Sequence, residues 1–182
     1  VPVLLNIQTP PDVLSFFLSD TGARVVLCEA DLASLFDTQT LSGTLLETVV
    51  IANGEGGVDD GHVSVETFLA GHLTELECAD TKPDDMAFWM YSSGSTGRPK
   101  GIVHLHHDMA YTQQSFGAHI LRLNPDDICF SVPKIYFAYG FGNALTFPFS
   151  VGATTVLMPG QPRPEAVLDT IEAYRPTVLF GL

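Results

Sequence analysis

The sequence predicts an α/β fold, a mostly parallel sheet with crossover helices. One observation is a series of short apolar runs bounded by turn residues: Arg24–Cys28, Thr48–Ala52, Met86–Met90, Asp127–Val132, Ala153–Met158 and Thr177–Leu182. The second is that stretches with helical spacing of apolar residues lie between several of them. Alternation of this kind is the pattern of parallel strands joined by helices. The third is size: 182 residues, 46% of them hydrophobic and 16% charged, suit one globular domain with a large interior.

In chain order, Val1–Leu5 reads as a short strand. Thr9 is a candidate cap for a helix with Pro10 and Pro11 at its start, and Val13, Leu14, Phe16, Phe17 and Leu18 recur at helical spacing until Gly22 stops it. Arg24–Cys28 reads as a strand buried on both faces. A short helix over Asp31–Phe36 and a buried strand over Thr48–Ala52 follow. Asn53–His62, with its glycines and acids, reads as an exposed loop. Val65–Leu73 suits a short helix, and Leu76–Asp85 is polar and irregular. Met86–Met90 and Ile102–His104 read as strands on either side of a glycine-rich loop. A helix is expected from His106 or His107 to His119, with Met109, Gln113, Phe116 and Ile120 along one side. Asp127–Val132 and Ala153–Met158 read as strands, Asn143–Phe149 as helical despite Pro148, Pro164–Tyr174 as a helix with its proline in the first turn, and Thr177–Leu182 as a strand.

The stretch Tyr91–Gly101 cannot help build a core. Gly94 and Gly97 permit backbone angles that other residues resist. Ser92, Ser93, Ser95 and Thr96 add hydroxyl donors, and open backbone N–H groups in such a turn form an anion-binding concavity. Lys100 supplies a charge of the kind that binds phosphate. The net charge of −13 makes Arg98 and Lys100 more telling, because two of the eight basic residues fall in this one stretch. A loop wrapping a nucleotide's phosphates is expected, at the carboxyl end of a strand. A flexible linker is the plainer reading, but the loop is short and lies between apolar runs. The Walker spacing fails, because Pro99 precedes Lys100 and Gly101 follows it. The hydrolase elbow fails too, because Gly94-Ser-Thr-Gly97 lacks one residue of that spacing.

The acidity disfavours nucleic acid and anionic membranes as partners. Cys28, Cys78 and Cys129 have no pairing pattern and read as reduced thiols of a cytoplasmic protein, with Cys28 and Cys129 in buried strands. No signal peptide or bilayer-spanning run is evident. Both ends, Val1-Pro2 and Thr177–Leu182, look like the middle of a structured region, so a piece of a longer protein is expected. His104, His106 and His107 complete no familiar ligand spacing, and the turn from strand to helix is expected to splay them apart, so no metal site is assigned. His104 is expected to abut the loop. In Lys134–Gly142 the aromatics are either core residues at a loop–helix join or the wall of a flat apolar pocket, with the glycines leaving room for a planar guest.

On these residues the chain resembles the adenylate-forming superfamily of acyl-CoA synthetases, luciferase-like enzymes and peptide-synthetase adenylation domains. Tyr91–Gly101 is similar to that family's phosphate-loop motif. Lys134–Asn143 resembles the benzoate–CoA ligase branch, which lacks the histidine that many members carry near Tyr136. The resemblance implies part of the layered N-terminal, AMP-binding domain over residues 1–182, with no C-terminal domain. It implies ATP, Mg2+ and CoA as cosubstrates, a small aromatic carboxylate such as benzoate or a hydroxybenzoate, and an acyl-adenylate that passes to a thioester. It assigns Ser92, Ser93, Gly94, Ser95, Thr96, Gly97 and Lys100 to the phosphate cradle, Thr96 and Lys100 to catalysis, and Ala138 and Tyr139 to the aryl pocket, supported by Tyr136 and Phe137. The family's ribose-binding, Mg2+-binding and C-terminal lysine segments have no counterpart in these residues, so no ligase activity is expected of the chain alone. An adenylation domain that loads a carrier protein and a non-catalytic nucleotide-binding module are the alternatives.

Overall fold

The computed structural model describes residues 1–54, 62–93 and 97–182. They form two units, Ile7–Ala79 and, in the other, Val1–Asn6 together with Asp80–Leu182. The first strand, β1 (Val3–Leu4), belongs to the second of these.

The Ile7–Ala79 unit opens with α1 (Pro11–Thr21). Pro10, not Thr9, holds the N-cap position, at φ −62° and ψ 150° with no side-chain cap bond. A residue before proline is pushed out of the helical region, so Pro11 forces Pro10 to be extended and the helix starts one residue later than a Thr9 cap requires. Gly22 ends it at φ 61°, a left-handed angle natural to glycine. Leu14, Phe17 and Leu18 are buried.

β2 (Val25–Glu29) follows, and Ala30–Leu35 forms the short helix expected there, as a 3-10 helix. A further helix, α2 (Thr38–Leu41), was not anticipated. It is capped by the Asp37 carboxylate, which accepts from Thr40 N–H at 2.8 Å. β3 (Thr48–Ala52) lies between β2 and β4 (His62–Ser64) in a parallel three-stranded sheet. Val49, Val50 and Ile51 on the central strand are buried. β2 departs from expectation: it is an edge strand whose alternate residues are open, with Leu27 68% exposed and Cys28 only half-buried. The expected loop at Asn53–His62 falls mostly on residues outside the described ones. α3 (Val65–Leu69) completes the unit, with Ser64 as its cap.

In the other unit, β5 (Met86–Ser92) lies between β1 and β6 (Lys100–Leu105). β1 and β5 are parallel, but β5 and β6 are antiparallel. A parallel return needs a crossover of a dozen or more residues. The link over 93–99 is too short for one, so this part of the sheet is a hairpin. α4 (His106–Thr112) runs on into a π-helical stretch, Gln113–Leu121, ended by Arg122 in the left-handed region. The wider turn breaks the 3.6-residue spacing. Gly117 becomes the buried position, against Phe147, while Phe116 and Ile120 stay largely exposed.

The second sheet has the order β8-β7-β9 and is parallel throughout, with β7 (Ile128–Ser131), β8 (Thr154–Val156) and β9 (Val178–Phe180). Between β7 and β8 come α5 (Ala138–Phe141), a π-helical turn at Gly142–Thr146, and α6 (Phe147–Val151). Pro148 follows directly on the π-helical turn, at the start of α6, and has no N–H to give to that turn. α7 (Pro164–Tyr174) connects β8 to β9 with the expected bounds. Cys129 and Phe130 are fully buried on β7. No helix among the described residues is long and apolar enough to cross a membrane.

Candidate functional site

β5 delivers the chain to the glycine-rich loop at its carboxyl end, and β6 takes it away. Tyr91 pairs with Gly101 and Ser92 with Lys100, so the last paired rung of the hairpin carries a hydroxyl and an ammonium side by side. Ser92, Ser93, Gly97 and Lys100 are all exposed at this end. Gly97 has φ +88°, which an L side chain rarely adopts. Gly94, Ser95 and Thr96 lie outside the described residues. Of the expected cradle, the structure therefore brings Ser92, Ser93, Gly97 and Lys100 together at one hairpin end.

Ala138 and Tyr139 form the first turn of α5, and both are exposed. Phe137 takes the N-cap position, and its ring leans on Tyr136 at 4.8 Å. Burial raises the Tyr136 hydroxyl above its ordinary pKa. The glycines do not leave room for a planar guest. A Cβ on Gly140 would lie 2.1 Å from the Lys134 carbonyl oxygen and 2.5 Å from that of Pro133. One on Gly142 would meet the Phe147 ring at 2.9 Å. The space beside each glycine is filled by the protein's own atoms.

Lys134, at the head of the aromatic run, is a fastening. Its ammonium donates to the carbonyls of Met158 and Gly160, tying the segment after β7 to the segment after β8. Desolvation lowers its pKa. The signal in the sequence was a lysine heading an otherwise apolar stretch. Asn143, on the π-helical turn, is 2% exposed, and its side-chain carbonyl has no hydrogen-bond partner.

The histidines do not splay apart as expected. Asp108 gathers two of them: Oδ2 meets His104 Nδ1 at 3.1 Å, and Oδ1 meets His107 Nε2 at 3.1 Å. His107 Nδ1 also meets Asp84 at 3.1 Å. The Asp108 carboxylate accepts from Leu105 N–H as well, at 3.1 Å, which caps α4. That backbone bond, with His104 and His107 beside it, holds the Asp108 carboxyl below the usual carboxylate range. His104 does not abut the loop. It sits four residues along β6 from Lys100, opposite Phe88, and the two rings stack at 4.7 Å and 17°. Phe88 also meets α5, because its ring and that of Phe141 lie 4.7 Å apart at 42°. A three-ring column thus joins the hairpin to the helix that carries Ala138 and Tyr139. No group of three or more His, Cys, Asp or Glu that could hold a metal ion occurs among the described residues.

Residues 1–182 match the AMP-binding enzyme family over their whole length. The chain is 40% identical over 182 residues to a benzoate–CoA ligase of Thauera aromatica, covering 100% of this chain and 34% of that protein. Among solved structures it is similar to an anthranilate CoA ligase in complex with anthranoyl-AMP, with a TM-score of 0.90 and 35% identity over 98% of this chain and 34% of the other. A benzoate CoA ligase from Burkholderia xenovorans LB400 superposes with a TM-score of 0.85 and 33% identity, over 100% of this chain and 34% of the other. The chain spans about a third of the length of these relatives.

Proposed function

The chain belongs to the AMP-binding enzyme family, and from that premise we propose that it is part of the N-terminal domain of an AMP-forming ligase that joins a small aromatic carboxylate to CoA. The observation that carries this reading is the column from His104 through Phe88 to Phe141. It ties the hairpin that carries the glycine-rich loop to a helix with an exposed alanine and tyrosine at its start. Adenylation requires an acid and a nucleotide phosphate to meet, and the presence of both segments in one unit supports this reading. The relatives with benzoate–CoA ligase and anthranilate–CoA ligase names support an aryl acid.

In this reading the hydroxyls of Ser92, Ser93, Ser95 and Thr96, the N–H groups around Gly94 and Gly97, and Lys100 receive the phosphates. The carboxylate oxygen attacks the α-phosphorus of ATP, and the bond to the departing pyrophosphate breaks. Negative charge grows on the leaving oxygens, where fixed donors are most effective. Lys100 offsets that charge locally on a chain of net charge −13. Ala138 and Tyr139 flank the aryl ring, with Tyr136 and Phe137 behind them. The thiol of CoA then attacks the acyl carbon and AMP leaves. Mg2+ accompanies the nucleotide. The described residues hold no group of three or more His, Cys, Asp or Glu that could hold a metal ion, so no metal ligand is assigned among them.

The test is carboxylate-dependent ATP–pyrophosphate exchange on the full-length protein, with benzoate, hydroxybenzoates and anthranilate as acids, followed by thioester formation on CoA. Exchange with at least one of these acids and thioester formation on CoA are expected. Exchange without thioester formation would instead favour a domain that loads a carrier protein. The 182-residue chain by itself is expected to form no acyl-CoA, since it spans so small a share of its relatives.

A further inference from the structure

We propose that His104 is a positioning residue: through its stack on Phe88, the ring that Phe141 also meets, it fixes the helix bearing Ala138 and Tyr139 relative to the hairpin bearing the glycine-rich loop. The inference rests on the functional reading above for its catalytic consequence, but its structural part stands on the column itself.

Each member is constrained from a different side. Phe88 is buried on β5 and is the cross-strand neighbour of His104. Facing pairs of this kind are a principal source of sheet stabilisation. His104 cannot turn freely, because Asp108 holds its Nδ1 at 3.1 Å while also accepting from Leu105 N–H. Asp108 is braced in turn by His107, which reaches back to Asp84. Phe141 closes α5: its N–H donates to Phe137 O at 2.8 Å, one turn earlier. Immediately before it, Gly140 is pressed against the carbonyls of Pro133 and Lys134. α5 is thus fixed along its length by Gly140, and Phe141 sets its tilt against the hairpin. His104 stacks on Phe88, the ring that Phe141 also meets, and so restrains that ring from the hairpin side of the contact.

The consequence is geometric. Ser92 and Lys100 stand at one end of the hairpin, and Ala138 and Tyr139 start α5. A change in tilt would leave both half-sites intact and misalign the atoms that must react. Misplacement by about 1 Å can cost two orders of magnitude in rate.

The test uses full-length variants with two readouts: ATP–pyrophosphate exchange with benzoate, and amide hydrogen exchange at Phe141 and Gly142. His104→Ala is expected to lower kcat about tenfold, with the KM values for ATP and benzoate each within about threefold of wild type, because placement rather than binding is lost. His104→Gln keeps a partner for Asp108 but has no ring and should behave as His104→Ala does. His104→Phe keeps a ring and should recover most of the rate. Phe141→Leu combined with His104→Ala should be no worse than the poorer single variant. Hydrogen exchange should quicken about three- to tenfold in the alanine and glutamine variants and not in the phenylalanine one, the factor expected for losing one aromatic pair. Wild-type kcat in His104→Ala, recovery by Gln but not by Phe, additive losses in the double variant, or unchanged amide exchange would each overturn the proposal. If the wild-type protein activates no aryl acid, the functional reading falls, and the amide exchange alone decides whether His104 holds α5.

Discussion

The hairpin end and the aromatic stretch use glycine for opposite purposes. At the hairpin end, Gly97 has φ +88°, and no atom of the described residues beyond its chain neighbours lies within 4 Å of where a Cβ would stand. Its backbone angle is special and its surroundings are open. In the aromatic stretch, Gly140 is not in the left-handed region but has two carbonyl oxygens where a side chain would begin. The first glycine lets the chain turn at an exposed end, and the second permits the chain to close on itself. Small residues in a candidate site therefore do not always mean space for a guest. The same composition can be spent on internal packing.

This comparison can be broken most forcefully at Gly140. Gly140→Ala should destabilise the fold by about 3 kcal/mol or more, since backbone must move to admit the methyl group. A denaturation midpoint within error of wild type would remove the contrast. Lys100→Ala comes next and should do the reverse. It should cut carboxylate-dependent exchange by about a hundredfold, as removing a charge-stabilising donor does. The denaturation midpoint should stay within about 0.5 kcal/mol of wild type, because the side chain is exposed. Equal losses of stability in the two variants would show that the loop, too, is built for packing.

The smallest effect concerns acid. Asp37, Asp108 and Asp127 each have a pKa below the ordinary value, chiefly because each carboxylate accepts from a backbone N–H, of Thr40, Leu105 and Asn124 respectively. A carboxyl lowered on folding contributes stability that is fully present above its unfolded pKa and is lost as pH falls through the folded one. The denaturation midpoint should therefore decline as pH drops below the ordinary carboxylate range of about 4. Asp108→Asn retains an acceptor for Leu105 N–H but not the ionisation, so the decline should be shallower. An identical pH profile in that variant would show that Asp108 adds nothing to acid sensitivity and acts only through geometry.

Much of the fold was legible in local chemistry. Pro164 and the apolar spacing after it marked α7 to its observed ends, because a first-turn proline and a helical period act within a few residues. The antiparallel return of β6 was legible too, in the shortness of the link over 93–99, although the alternating pattern along the whole chain pointed to parallel strands. α2 carried its signal in Asp37, three residues before Thr40. Other features were not legible. The half-exposed face of β2 depends on its place at the edge of a sheet, and an apolar run looks the same at an edge as at the centre. The π-helical stretch after α4 moved burial from Phe116 to Gly117, which a 3.6-residue period cannot foresee.

What residue order alone determined is the alternating α/β pattern and the chemistry of Tyr91–Gly101, because glycine, hydroxyl and lysine side chains in a short turn have those properties wherever the turn is placed. Tertiary structure decided how His104, Gly140 and Phe141 are used. It gathered His104 and His107 onto Asp108, filled the space beside Gly140 with carbonyls, and brought His104 and Phe141 to the ring of Phe88. His104 and Phe141 are far apart in sequence, and their shared contact with one ring depends on how the hairpin and α5 pack. No local pattern encodes that meeting.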